Sequence, residues 1–266
     1  MEYLSLYLDF VKIKLKGMTE YPGAFWAESI AKMMGWAANL IIIYLMVFRF
    51  ENVFGWSAYE VLMLYSINAT SYSLAGFLMF DAFGMLSRHI QMGTFDEMLT
   101  KPMNPFLYLC FKGFSTGYIG NLFSTVTALI VCFVALNIPI NFTNIFYLIF
   151  IIIGSSLIHS AMFMFVNIPV FWIVKADALL SLRWALDEFI RYPISIYDRW
   201  IQVMLTFVLP IAFINFYPVQ HFLKKDDFLG FSPLLAHLTP VIGIVLFALG
   251  YIFFFLGVRN YKSTGS

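Results

Sequence analysis

Six apolar runs, residues 24–48, 58–83, 107–136, 144–174, 200–217 and 234–257, limit what this chain can become more than anything else in it. Each is long enough, or nearly so, to cross the hydrocarbon of a bilayer as a helix. Hydrophobic residues make up 61% of the chain against 12% charged, and the mean hydropathy is +0.83, so a water-soluble core of this size is excluded. The expected fold is all-α: one polytopic membrane domain over residues 1–266, with six transmembrane helices. The 31 phenylalanines suit lipid contact and interfacial belts.

An even number of spans puts both termini on one side, and the basic residues say which. With the ends cytoplasmic, the inner segments hold Lys12, Lys14, Lys16, Arg88, Lys101, Lys112, Lys175, Arg183, Arg191, Arg199, Arg259 and Lys262, while Arg49, Lys224 and Lys225 fall outside and Lys32 lies within the first span. That asymmetry predicts a cell-membrane protein with cytoplasmic ends, cytoplasmic segments over 84–106 and 175–199, and an external or re-entrant segment over 218–233. Residues 1–20 show no 7-residue apolar core before a small-residue cleavage site, so a signal peptide is not expected there. Leu4, Leu8, Val11, Leu15 and Met18 recur instead at helical spacing beside Lys12 and Lys16, which predicts an amphipathic helix in the headgroup region.

Small residues suggest where spans touch. Ala27, Ala31, Gly35 and Ala38 form a stripe on the first, expected to pack against a second membrane chain. Gly113, Gly117, Asn121, Ser124 and Ala128 mark the third, and Gly243, Gly250 and Gly257 the last. Cys110 and Cys132 share one predicted span and lie too far apart along it to pair. Asn68, Asn121, Asn167 and Asn215 are candidates for lining a cavity and equally for bonds between helices. His159 is the histidine expected at mid-membrane, where a hydrogen bond to a neighbouring helix competes with a role in a pathway. Glu28 and Lys32 sit four apart and can neutralise each other.

Enzymatic signatures are missing. The sequence has no G-x-x-x-x-G-K-[ST], no H-E-x-x-H and no G-x-S-x-G, and its four histidines are scattered. No catalytic residue, metal ligand or cofactor-binding residue is expected, and the net charge of +1 gives no reason to expect nucleic acid as a partner.

The longest polar interruption is residues 88–106, RHIQMGTFDEMLTKPMNPF. A helix begun at Thr94 would be stopped by Pro102 and Pro105, with Phe95, Met98 and Leu99 on one face and Asp96, Glu97 and Lys101 on others. The pattern Gly93-x-Phe95-Asp96-x-x-Leu99-x-x-Pro102-x-Asn104-Pro105 resembles the loop between the second and third spans of ABC-2 type transporter permeases, in the branch with a GxFDxxLxxPxNP run. The segments RYPISIY (residues 191–197) and LPIAFINFYP (residues 209–218) are similar to the same branch. The resemblance implies a cytoplasmic coupling helix seated in a separate ATPase subunit, with Gly93, Phe95, Asp96, Glu97, Met98, Leu99, Pro102, Asn104 and Pro105 at the docking element. It implies two ATPases carrying the ATP and Mg, a second permease, identical or paralogous, and short helices re-entering the outer leaflet, with Phe222, Leu223, Phe228 and Phe231 at an outer gate.

Residues 180–200 are expected to form a second cytoplasmic surface helix ending before Pro193, with Leu182, Leu186 and Phe189 or Ile190 on its apolar face. Two functions stay open: the membrane half of an ATP-driven exporter, and an ATP-independent secondary transporter or channel. A proton-coupled carrier should place unpaired acids at mid-membrane, whereas the acids here cluster at the ends of the predicted spans.

Overall fold

The computed structural model describes residues 22–49, 55–173, 177–225 and 228–263, with Lys12 and Lys16 besides. Most of these residues are helical, and none of them forms a β-strand. In chain order the helices are α1 (Pro22–Arg49), α2 (Ala58–Gly84), α3 (Leu86–Gln91), α4 (Thr94–Leu99), α5 (Pro105–Lys112), α6 (Tyr118–Ala135), α7 (Phe142–Asn167), α8 (Asp177–Phe189), α9 (Arg199–Val203), α10 (Phe216–Leu223) and α11 (Thr239–Asn260). The interfacial helix expected over 1–22 lies outside the described residues, Lys12, Lys16 and Pro22 aside.

Among the described residues, 4 helices are long and apolar enough to cross a membrane, Ala58–Gln91, Tyr118–Ala135, Phe142–Phe171 and Thr239–Asn260, and the number rises to 5 if the bent pair Arg199–Val208 and Ile211–Leu223 is one span. α1 holds a shorter apolar stretch, Met33–Leu45. The chain is a multi-pass membrane protein, and its described helices account for 4 to 5 of the six expected spans by length and composition.

α2 is the central post. It starts at a capping box, where the Ser57 N–H donates to the Glu60 carboxylate at 2.7 Å. It is buried on nearly every side, and its hydroxyls bond their own helix: Thr70 donates to the Ser66 carbonyl and Ser73 to that of Ala69, each at 2.7 Å. Polar side chains are tolerated there because no water need follow them into the bundle.

The third run is broken. α5 ends at Lys112 and α6 begins at Tyr118, and between them the Ser115 N–H donates to the Phe77 carbonyl of α2 at 2.7 Å. A methyl added to Gly113 would come 2.5 Å from Ala82 Cα, so the break crosses α2 at backbone distance. A second close seam joins α7 to α11. A methyl on Gly243 would meet the Gly154 carbonyl oxygen at 2.3 Å, while Gly250 faces Met164 and Gly257 faces Phe171. The glycine stripe of the last span is thus a packing surface.

The fifth run departs furthest from expectation. Residues 199–208 and 211–223 meet at 80° around Leu209-Pro210, where proline cannot continue the hydrogen-bond ladder. Arg199 reaches the Leu229 carbonyl, Lys225 Nζ reaches Gly55 O and Glu60 Oε2 at 2.8 Å each, and Trp56 Nε1 bonds Ser195 Oγ at 3.2 Å. Both arms therefore begin and end beside the N-terminus of α2. The chain thus makes a sharp dip over 199–223, a bent pair with the geometry of a broken span or a re-entrant loop, and the segment 218–233 expected to be external or re-entrant overlaps its second arm.

α8 takes up the length that the dip leaves uncovered. The helix forms where a surface helix was expected, but it lines cavities together with α2, and the chain after it reaches the N-terminal end of α2 at Ser195. Leu180 lies by Asp81 and Gly84, Trp184 by Phe80, Asp187 by Asn68 and Tyr65, and Ser195 by Trp56. Asn215 ties this path to the dip, donating to the carbonyls of Leu64 and Ile190 at 3.1 and 2.8 Å.

Candidate functional site: a charged cleft and a helix at the end of the bundle

The cleft lies between α1, α2 and α8. A cavity of about 360 Å³ is lined by Asn39, Tyr65, Asn68, Tyr72, Asp187 and Arg191, with Gly35, Trp184 and Glu188 completing it. A second cavity of about 270 Å³, nearer the C-terminal end of α2, is lined by Phe80, Phe163, Leu180, Met85, Asn167 and Arg183, and it shares Trp184 with the first.

Spacing along α8 and the turn that follows it sets the charges. Arg183 and Asp187 stand four apart and pair at 3.3 Å, and Glu188 and Arg191 stand three apart and pair at 2.9 Å. Arg183 is only 2% exposed. Its guanidinium lies 4.2 Å from the Phe163 ring centroid and 5.4 Å from that of Tyr72, so aromatic faces supply part of the solvation that water would give. Among the described residues Arg183 Nε and Nη2 and Asp187 Oδ1 have no hydrogen-bond partner. Beside them His159 Nε2 sits 3.1 Å from Asn68 Oδ1, the interhelical bond expected of it. Of the four asparagines, Asn68 and Asn167 line the cavities, Asn215 joins segments, and Asn121 is buried in α6.

α4 is the predicted short helix, and it forms for the reasons its sequence supplies. Gly93 precedes it with φ +70°, a left-handed turn that favours glycine. Asn104 then caps α5, its Oδ1 accepting from the N–H groups of Phe106 and Leu107 at 2.9 and 3.3 Å, with Pro105 in the first turn. Asn104 Nδ2 also reaches the Tyr251 hydroxyl of α11 at 2.9 Å.

The orientation of α4 differs from the expected one. Phe95 and Met98 are 0% and 1% exposed, turned into the chain's own core. Phe95 packs edge-on against Phe171 and Tyr261, with centroids at 5.3 and 5.1 Å. Asp96 is engaged too, its Oδ2 accepting from Ser263 Oγ at 2.7 Å. Burial, together with the Asp96 carboxylate beside it, holds the Tyr261 hydroxyl above its usual range. What faces outward is Glu97, Leu99, Lys101 and Pro102, together with Arg88 and Met92 of the preceding turn. The apolar face was legible as a face, but spacing alone does not say whether a partner or the chain itself covers it.

The expected outer-gate residues gather around the dip. Phe222 is buried against Phe133 at 5.3 Å, and Phe231 sits on Phe207 at 5.1 Å and under Arg199 at 4.3 Å, while Leu223 and Phe228 are half-buried. On α1, Ala27, Ala31, Gly35 and Ala38 are exposed, and a methyl on Gly35 would meet nothing within 4 Å. The cleft itself was missed. Its signal was present as oppositely charged residues at i, i+4 and i, i+3 in residues 183–191, which spacing alone does not distinguish from a solvated surface helix.

No curated protein and no solved structure matches the chain. The family profile described as ABC-2 family transporter protein matches residues 33–265, which covers α4, the dip and the charged helix alike. The chain belongs to the ABC-2 family of transporter proteins.

Proposed function

We propose that this chain is the membrane-spanning permease subunit of an ATP-driven exporter, working with separate ATPase subunits. The observation that carries the proposal is α4: a short helix at the end of the bundle, held from inside by Phe95 and Met98 and presenting Met92, Leu99 and Lys101 outward. Exposed apolar groups ringed by Arg88, Glu97 and Lys101 suit a groove in a soluble partner, with the charges setting orientation. In this reading the membrane is crossed by α1, α2, α5–α6, α7, residues 177–199 and α11. The ends are cytoplasmic, and residues 199–223 re-enter from outside. ATP and Mg belong to the partner, since the sequence contains no P-loop. A second permease, identical or paralogous, faces the small-residue stripe of α1, whose residues 27, 31, 35 and 38 are exposed in this chain.

The rival reading, ATP-independent secondary transport, draws on Asp187 inside the bundle. Its pairing with Arg183 makes it a poor free proton carrier. Co-purification decides between them. The wild-type chain should recover an ATPase subunit, two copies per pair of permeases. Leu99→Glu with Lys101→Glu should reduce recovery about tenfold while leaving insertion intact. Equal recovery, or transport without nucleotide, would overturn the exporter reading.

A further inference from the structure

The cleft on α8 has a chemistry of its own. Arg183, Asp187, Glu188 and Arg191 run plus, minus, minus, plus along residues 183–191 and sum to zero. A ligand with a single charge would leave a net charge in a partly dehydrated site, which is costly, whereas one carrying both signs would not. The unpaired atoms have the same duality: Arg183 Nε and Nη2 can only donate, and Asp187 Oδ1 accepts. Tyr65, Tyr72 and Trp184 add aromatic surface to the larger cavity, where a cationic group is attracted to ring faces. The smaller cavity, across Trp184, is walled mostly by Phe80, Phe163, Leu180 and Met85, with Asp81, Asn167 and Arg183 as its polar points, and favours an apolar chain.

We propose that the cleft binds a zwitterionic amphiphile, its cationic group toward Asp187 and Glu188, its anionic group toward Arg191 and Arg183, and its chain past Trp184 into the smaller cavity. The assignment rests on the transporter reading for its purpose but not for its chemistry. Binding can therefore be measured on the purified full chain without ATPase or nucleotide.

The probes are three single-chain amphiphiles of equal chain length, bearing phosphocholine, trimethylammonium or phosphate, and a fourth without a chain, free phosphocholine. Each is titrated below its micelle concentration into the protein in a neutral maltoside detergent. The phosphocholine amphiphile is expected to bind about tenfold tighter than either singly charged analogue and than the free headgroup. Glu188→Gln with Arg191→Gln should remove that preference. These two side chains are 61% and 33% exposed, so the variant folds without the risk attached to Arg183. Trp184→Ala should weaken the amphiphile but not bring it below the free headgroup. Equal or tighter binding of the trimethylammonium or phosphate analogue, equal binding of the free headgroup, or an unchanged preference in the double variant would each overturn the proposal. Loss of ATPase recovery with this preference intact would instead sink only the exporter reading.

Discussion

α11 and α8 are both held against the α2–α7 core, and they are held by opposite means. α11 is apolar around its whole circumference, and its position is set by glycines: Gly243 on the Gly154 carbonyl, Gly250 on Met164 and Gly257 on Phe171. α8 has no such seam. Its Arg183 bridges to Phe163 and Tyr72 through rings and to Asp187 through charge, leaving cavities on either side of Trp184. Close backbone contact gives a rigid joint with no room for a ligand. Contact through long charged side chains gives a looser joint with room for one.

The largest expected effect falls on the rigid joint. Gly243→Leu has nowhere to put its side chain, because the first carbon would already lie 2.3 Å from a backbone oxygen that cannot move aside cheaply. Size-exclusion profiles of detergent extracts should show loss of the monodisperse peak. Gly35→Leu, whose first carbon meets nothing within 4 Å of this chain, should keep it. A normal peak for Gly243→Leu would mean that α7 and α11 do not approach closely.

Next comes the charged joint. Asp187→Ala leaves Arg183 buried without its counter-ion, a loss of about 3–5 kcal/mol for a buried pair. Removing both charges with Arg183→Leu and Asp187→Leu should restore much of the thermal stability in micelles while abolishing ligand binding in the cleft. If the double variant were as unstable as the single one, the pair would be holding α8 by more than mutual neutralisation.

These two joints also explain what could be read from the sequence. α7 and α11 are long apolar runs, and the glycines of α11 sit at helical spacing, so the spans and one side of the seam were legible from residues alone. α8 and the dip were not. Hydropathy rates residues 200–217 as a span because it averages over the chain and does not register that Pro210 turns it by 80°. It rates residues 177–189 as a surface helix because it counts Arg183 and Asp187 as two exposed charges when they are one internal pair. The cap at Asn104 was not legible, whereas the short helix α4 was, with the glycine before it and the prolines after it. Which of its faces turns inward depends on Phe171 and Tyr261, residues 76 and 166 positions further along the chain than Phe95.

α4 carries the comparison into function, because its two faces should respond differently. Phe95→Ala empties a fully buried site and should cost about 3 kcal/mol of stability. Leu99→Ala, at 37% exposed, should change stability by less than about 0.5 kcal/mol and act on ATPase recovery alone. Thermal melts and pull-downs on the same preparations separate the two. A stability loss at Leu99 equal to that at Phe95 would mean that the helix is turned the other way.

The smallest effect tests whether the rigid joint is also the lever. α11 continues into Tyr261 and Ser263, which touch Phe95 and Asp96, so motion of α4 reaches α11 directly, while the charged helix has no such tie among the described contacts. Ser263→Ala removes one exposed hydrogen bond to a carboxylate and should change stability by no more than about 1 kcal/mol. Tyr261→Leu keeps an apolar side chain on Phe95 and Phe171 but loses the edge-to-face geometry, each aromatic pair being worth about 0.5–1.5 kcal/mol beyond area. If α11 transmits the ATPase's closure, the double variant should still recover ATPase and hydrolyse ATP, yet move less substrate for each ATP consumed. An unchanged ratio would assign transmission to α2, through α3 and the turn at Met85, and leave the glycine seam a purely static part of the bundle.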